Sequence, residues 1–220
     1  MTKNRFDWRG RLAGVAFALA ALLLMAAAPG QALSAERAEE IVLERSEAPL
    51  QLEVKNLAGS MQVRGWDGNT RILVTFHAED SGGLTAEEIL QLVSAEAKMV
   101  GNRLVVSTVL PLESFQRFAY PVQNAEADSG PGYFNLARAN GFSEARFNGE
   151  RVEIYGTTQF DALTVWADYK IVVPEGSQVS LKNMAGALRA ENMQGSILLD
   201  GTRGLGQPDE AFAKILQVTP

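Results

Sequence analysis

Side chains able to do chemistry are sparse in this chain. His77 is the single histidine, and there is no cysteine. Zinc sites normally draw on several His or Cys ligands, which one histidine cannot supply. A thiol nucleophile is excluded, and a Ser-His-Asp triad would have to run through His77 with no nucleophile-elbow motif in view. His77 falls in phase with Thr75 and Glu79 and out of phase with Ile72, Val74 and Phe76, so it reads as a solvated residue on the polar face of a strand. The carboxylates Asp67, Asp80, Asp128, Asp161, Asp168 and Asp200 fall mostly at predicted turns, where aspartate is favoured by local hydrogen bonds to the backbone. Neither EF-hand spacing nor a glycine-aspartate calcium nonapeptide occurs. The expectation is a protein without catalytic residues, metal site or cofactor, and therefore not an enzyme.

The elements that would position these residues are announced by glycine. Gly186, Gly195 and Gly204 recur every nine residues, and Gly68 follows Gly59 by the same interval. After Gly186 and Gly195, apolar residues alternate (Leu188 and Ala190, then Ile197 and Leu199), which is the period of a strand with one buried face. Leu52–Val63 aligns without a gap to Val179–Ala190, sharing Lys-Asn-x-Ala-Gly in the same phase. A nine-residue unit is too small to bury its own apolar face, so neighbouring units must stack and share a core. The fold class expected is mainly β, a β-solenoid-like or stacked β-ladder with Leu188 directly above Ile197. The glycines Gly59, Gly68, Gly186, Gly195 and Gly204 are read as structural turn residues with positive φ.

Between these units the chain predicts strands at Leu50–Lys55, Ser60–Gly65, Thr70–Ala78, Arg103–Val109, Arg151–Tyr155 and Leu163–Val173, with Asp67-Gly68 as a tight-turn signal joining the second and third. One amphipathic helix is expected over about 84–99, packed on the sheet. Thr85 and Glu88 form a capping box, Leu84 and Ile89 a hydrophobic staple, and Ile89, Leu92, Val93 and Ala97 its apolar face. An aromatic-rich insertion spans about 111–162. There Phe118, Tyr120, Phe142 and Phe147 read as a lid over the sheet, while Gly130-Pro131-Gly132 marks an exposed tip carrying Tyr133 and Phe134, the candidate partner contact. Residues 49–205 make one β-rich domain, and 206–220 a tail, with Asp209–Leu216 a short helix closing the open end of the stack.

Lys3, Arg5, Arg9 and Arg11, the uncharged run Leu12–Ala28 and then Pro29-Gly30 have the order of a secretory signal peptide, expected over 1–35 with cleavage between Ala32 and Glu36. Residues 36–48 read as a charged, solvated leader that becomes a strand only near Ile41–Leu43. Without residues 1–35, which hold four basic residues and one acidic residue, the net charge falls from −6 to about −9, which argues against nucleic acid as a partner. A retained Leu12–Ala28 segment would instead anchor the protein to a membrane.

Val54–Trp66, Arg71–Ala78 and Tyr169–Leu199, where Lys-Ile-Val-Val-Pro-Glu-Gly leads into the glycine repeats, together resemble a bacterial adhesin-domain family of exported proteins with repetitive β-structure and no assigned biochemical function. The resemblance covers about two thirds of the chain after the signal segment and implies a non-enzymatic envelope or surface protein, periplasmic or on the cell surface. Its ladder would present side chains to a protein or glycan. The alternatives are a carbohydrate-active β-solenoid enzyme and an accessory subunit of a membrane-bound envelope-stress complex.

Overall fold

The computed structural model describes residues 34–43, 50–120, 146–156 and 160–201, with the backbone also at 142–145 and 213–214. Residues 1–33 of the expected signal peptide, residues 44–48, the tip with Tyr133 and Phe134, and Gly204 lie outside the described residues. The molecule is mainly β, in two sheets that are not closed into a barrel. In chain order the strands are β1 (Ser34–Leu43), β2 (Gln51–Ala58), β3 (Met61–Trp66) and β4 (Thr70–Glu79), then the helix α1 (Ala86–Gln91), then β5 (Ser94–Val100), β6 (Arg103–Val109) and β7 (Arg117–Ala119). They continue with β8 (Phe142–Phe147), β9 (Glu150–Tyr155), β10 (Leu163–Pro174), β11 (Gln178–Ala185), β12 (Leu188–Glu191), β13 (Ile197–Gly201) and β14 (Ala213–Lys214).

The first sheet is organised around β10, which pairs antiparallel with β4, itself antiparallel to β1. The other edge of β10 is shared: its start pairs with β7, which leads on to β9 and β8, and its end pairs in parallel with β3 and then β12. The second sheet carries four parallel strands in the order β6, β2, β11, β13, flanked by the antiparallel edges β5 and β14. Leu52, Val54, Leu104, Val106, Val179 and Leu181 from the second sheet pack against Ile72, Val74, Phe76, Val165, Tyr169 and Ile171 from the first, all buried.

The aligned repeat stacks in the register read from the sequence. Val179 lies beside Leu52, Asn183 beside Asn56 and Ala185 beside Ala58 in the second sheet, while Leu188 lies beside Met61 and Ala190 beside Val63 in the first. Between the sheets the chain turns a corner at Gly59 and again at Gly186, with φ of 118° and 112°. A Cβ on Gly186 would overlap the Gly59 carbonyl, and one on Gly59 would overlap the Ala167 carbonyl, so three backbones stack there at a distance only glycine permits. The bonds Gly59 N to Ala185 O (3.0 Å) and Met61 N to Ala187 O (2.8 Å) carry the ladder through the bend. Inside it, the Asn56 amide donates to the carbonyls of Ala58 and Ala167, both at 2.8 Å, and Asn183 donates to Gly59 O at 2.7 Å. Thr108 donates to Asn56 Oδ1 (2.9 Å) and sits 2.7 Å from the buried Tyr169 hydroxyl. Burial drives the Tyr169 pKa well above its ordinary value, although its bond to Thr108 opposes this.

Several expectations are corrected. Ile197 lies beside Val179, eighteen residues earlier, and not above Leu188. Each nine-residue unit is thus half of a turn around the two sheets, and two units return the chain to the same ladder. Asp67-Gly68 does turn the chain, and Trp66 donates to Asn69 O at 2.8 Å, but β3 and β4 lie on opposite sides of β10 instead of pairing as a hairpin. The helix begins where the capping box places it and ends after Gln91, because Ser94–Val100 pairs antiparallel with β6. Residues 34–43 are a ten-residue edge strand, not a solvated leader. The two errors share one cause. Arg37 of β1 lies over the Phe76 ring at 5.2 Å and donates to the carbonyls of Leu90 and Val93, while Glu39 accepts from Ala95 N at 3.1 Å, so charges of the supposed leader stop the helix and seat β5. Within the expected insertion, Phe118 and Phe147 are core residues on β7 and β8. Ala213–Lys214, expected to be helical, pairs with β13 as a strand.

Asn56→Ala would strip two buried carbonyls and the Thr108 hydroxyl of their partner, and should cost about 2–4 kcal/mol in urea unfolding. Gly59→Ala should cost at least as much, whereas Gly101→Ala, whose Cβ would meet open space, should lose only about 1 kcal/mol through its positive φ. Equal losses for Gly59 and Gly101 would remove the corner from the account of stability.

Candidate functional site

Two outward-facing clusters bring charged side chains together. The first is built on the outer face of the first sheet, where the register sets Glu36, His77 and Trp166 side by side across β1, β4 and β10. His77 is on the face its phase predicts, yet it is not simply solvated. Its Nδ1 is 3.0 Å from Glu36 Oε1 and its Nε2 3.0 Å from Asp168 Oδ2, and the ring stacks on Trp166 at 5.1 Å between centroids. Asp168 in turn accepts from the Ser60 N–H at 2.6 Å and the Ser60 hydroxyl at 2.7 Å. Ser60 is the residue after the Gly59 corner, so the cluster ties that corner to the edge strand. Sequence reasoning missed the role of Asp168 because its partners, Ser60 just before β3 and His77 on β4, lie about 90 to 110 residues away.

Burial lowers the His77 pKa, but Asp168 and Glu36 outweigh it and hold the imidazole above its usual value. Burial raises Asp168, and bonds from His77 and Ser60 bring it below its usual value. The arrangement is an ion pair with the ring clamped on both nitrogens. The two carboxylates sit on opposite nitrogens and do not converge on one point, and Ser60 addresses the carboxylate, not the ring. These contacts tie β1, β4 and β10 to the Gly59 corner.

The second cluster lies on the outer face of the second sheet. Lys55 and Lys182, the repeated lysines, are direct neighbours on β2 and β11. Below them Glu53 is nearly buried, with 6% of its side chain exposed, 3.0 Å from Lys182 Nζ, 3.4 Å from Lys55 Nζ and 2.9 Å from Arg103. Burial raises the Glu53 pKa, and the two lysines more than reverse this. One carboxylate thus shares three cations, and Lys55 and Lys182 keep exposed ammonium groups with donors to spare. The chemistry available here is anion recognition.

Among the described residues no helix is long and apolar enough to cross a membrane, and no group of three or more His, Asp or Glu side chains is placed to hold a metal ion. Of the residues read as turn glycines, Gly59 and Gly186 have positive φ, whereas Gly68 and Gly195 do not; a Cβ at Gly68 would meet the Trp66 ring, and one at Gly195 would overlap the Ser177 carbonyl.

A raised histidine pKa stabilises the fold below the unfolded value of about 6.5 and loses that contribution as pH rises through the folded value. The lowered Asp168 contributes above its unfolded value of about 3.9 and loses it as pH falls through the folded value. The stability gap between the protein and His77→Gln should therefore be widest between about pH 4 and 6.5 and narrow on the alkaline side. Urea midpoints across that range measure it, and a gap that widens steadily toward alkaline pH would contradict the ion pair.

Compared with known protein families, with curated proteins and with solved structures, the chain shows no match.

Proposed function

We propose that the protein is a non-enzymatic, exported scaffold of the cell envelope or surface, adhesin-like in character, whose parallel β-ladder presents outward side chains to a glycan or protein partner. The observation that carries this reading is the stacking of two copies of the same unit in register, which lines up chemically equivalent outward positions such as Lys55 and Lys182 across neighbouring strands. Solenoid-like winding of the chain fits the return of Ile197 to Val179. A binding role fits the charge layout better than catalysis does, because both ring nitrogens of His77 are engaged by carboxylates.

Export fits the charged, apolar and small-residue order of residues 3–32. The buried start of β1 favours one cleavage site over another. Ala35 is buried and β1 starts at Ser34, so a cut after Ala35 would remove a core residue and shorten the edge strand. A cut after Ala32 leaves β1 whole and places Gly30 and Ala32 at the two small-residue positions before the bond. Mass measurement of the exported product should give Leu33 as the first residue. A product retaining Leu12–Ala28 would place the protein at the membrane.

Incubated with isolated envelope polysaccharide, the purified exported protein should retain polymer saturably and leave its chain length unchanged. Progressive shortening of the polymer would overturn the non-enzymatic reading and favour a carbohydrate-active enzyme.

A further inference from the structure

The row of residues containing the repeated lysines continues across the whole parallel ladder: Ser107 on β6, Lys55 on β2, Lys182 on β11 and Asp200 on β13 are successive neighbours, about 4.8 Å apart from strand to strand. The β8–β9 hairpin reaches over from the first sheet. Its turn is formed by Asn148 and Gly149 at positive φ, and the Asn148 amide lies 3.3 Å from the Ser107 hydroxyl. Between this turn and the row is a groove of about 550 Å³, lined by Lys55, Lys182, Arg146, Asn148, Met184 and Asp200 among others. That volume is in the range of small-ligand sites.

The groove carries the opposite sign to the protein. Lys55, Lys182 and Arg146 face a single lining carboxylate, Asp200, in a chain of net charge −6. Glu53 divides itself among three cations and leaves most lysine donors unused. Arg146 donates to the Gly149 carbonyl at 3.2 Å. A local positive field on an acidic protein concentrates anions at that spot and repels them elsewhere.

We infer that this groove binds an acidic polysaccharide lying across the strands, with one sugar carboxylate seated between Lys55 and Lys182 and another reached by Arg146. This rests on the reading of the ladder as a presenting surface. Spaced charge, not dense charge, is what the row fits: Asp200 stands one strand beyond Lys182, where it repels a second adjacent anion and accepts a sugar hydroxyl. Asn148, at the rim, offers an amide to further hydroxyls. A polyphosphate, whose charges follow one another far more closely along the chain than the ring-spaced carboxylates of a uronic-acid polymer, meets Asp200 and the acidic remainder of the surface unfavourably.

The test uses the full exported protein with polygalacturonate as the probe, and dextran and polyphosphate as comparisons. Polygalacturonate should bind saturably and with falling affinity as salt is raised, polyphosphate more weakly, and dextran not at all. Arg146→Gln should weaken polygalacturonate binding about tenfold with an unchanged urea midpoint, since this arginine is an exposed residue near the end of β8. Lys182 also holds Glu53, so Lys182→Gln is measured beside the double variant Glu53→Gln, Lys182→Gln, which removes both members of the pair; both should bind about tenfold more weakly. Equal binding of dextran, tighter binding of polyphosphate, or full affinity in Arg146→Gln would each overturn the groove. None of these results bears on export or on the absence of cleavage, which fail separately, by a retained N-terminal segment or by shortened polymer.

Discussion

The close stacking of backbone at the Gly59 and Gly186 corners is the constraint on which the rest of the structure depends. A chain that passes from one sheet to the other must bend sharply while its carbonyls stay paired. Glycine solves the first problem by removing the Cβ that would strike the neighbouring backbone. Asn56 and Asn183 solve the second, donating inward to corner carbonyls that would otherwise be buried without partners. Because both copies of the unit bend at the same position, every residue before and after the corner is fixed in register. The pairing of Lys55 with Lys182 is a consequence of that register.

Charge on this protein is used first to hold edges. β1 is an edge strand, and exposed edges invite pairing with other chains unless they are tied down and charged. Arg37 and Glu39 point inward to fix α1 and β5, whereas Glu36 points outward to His77. The His77–Asp168 pair then links β4 to β10 and, through Ser60, to the corner. These half-buried pairs are bonded at nearly every polar atom, which keeps their desolvation cost in check. Arg37 Nε, buried without a partner, is the exception.

The outer face of the second sheet is arranged differently. There one carboxylate serves three cations, so the bonding is incomplete on the cationic side and the surface is open to an added anion. A site of this kind favours recognition: it supplies fixed charge and hydrogen-bond donors on rigid strands. The β8–β9 turn gives the face a wall, turning a flat ladder into a groove.

Read alone, the sequence determined the β character, most strand positions, the internal repeat with its alignment, the helix start at Thr85 and the face on which His77 lies. These follow from periods of two residues, from glycine spacing and from capping chemistry, all of which act over a few residues. Tertiary structure decided the rest. Ser94–Val100 has the composition of a helix and became a strand because β6 needed an edge partner and Arg37 stopped α1. Arg37 and Glu39 look like solvated charges until β4 and α1 surround them. Asp168 looks like one more scattered carboxylate until β10 carries it to His77 and Ser60. Lys55 and Lys182 are 127 positions apart, and nothing local joins them. A repeat can show that two residues are equivalent, but only the parallel pairing of β2 with β11 makes them neighbours, because hydrogen bonding between strands is blind to distance along the chain.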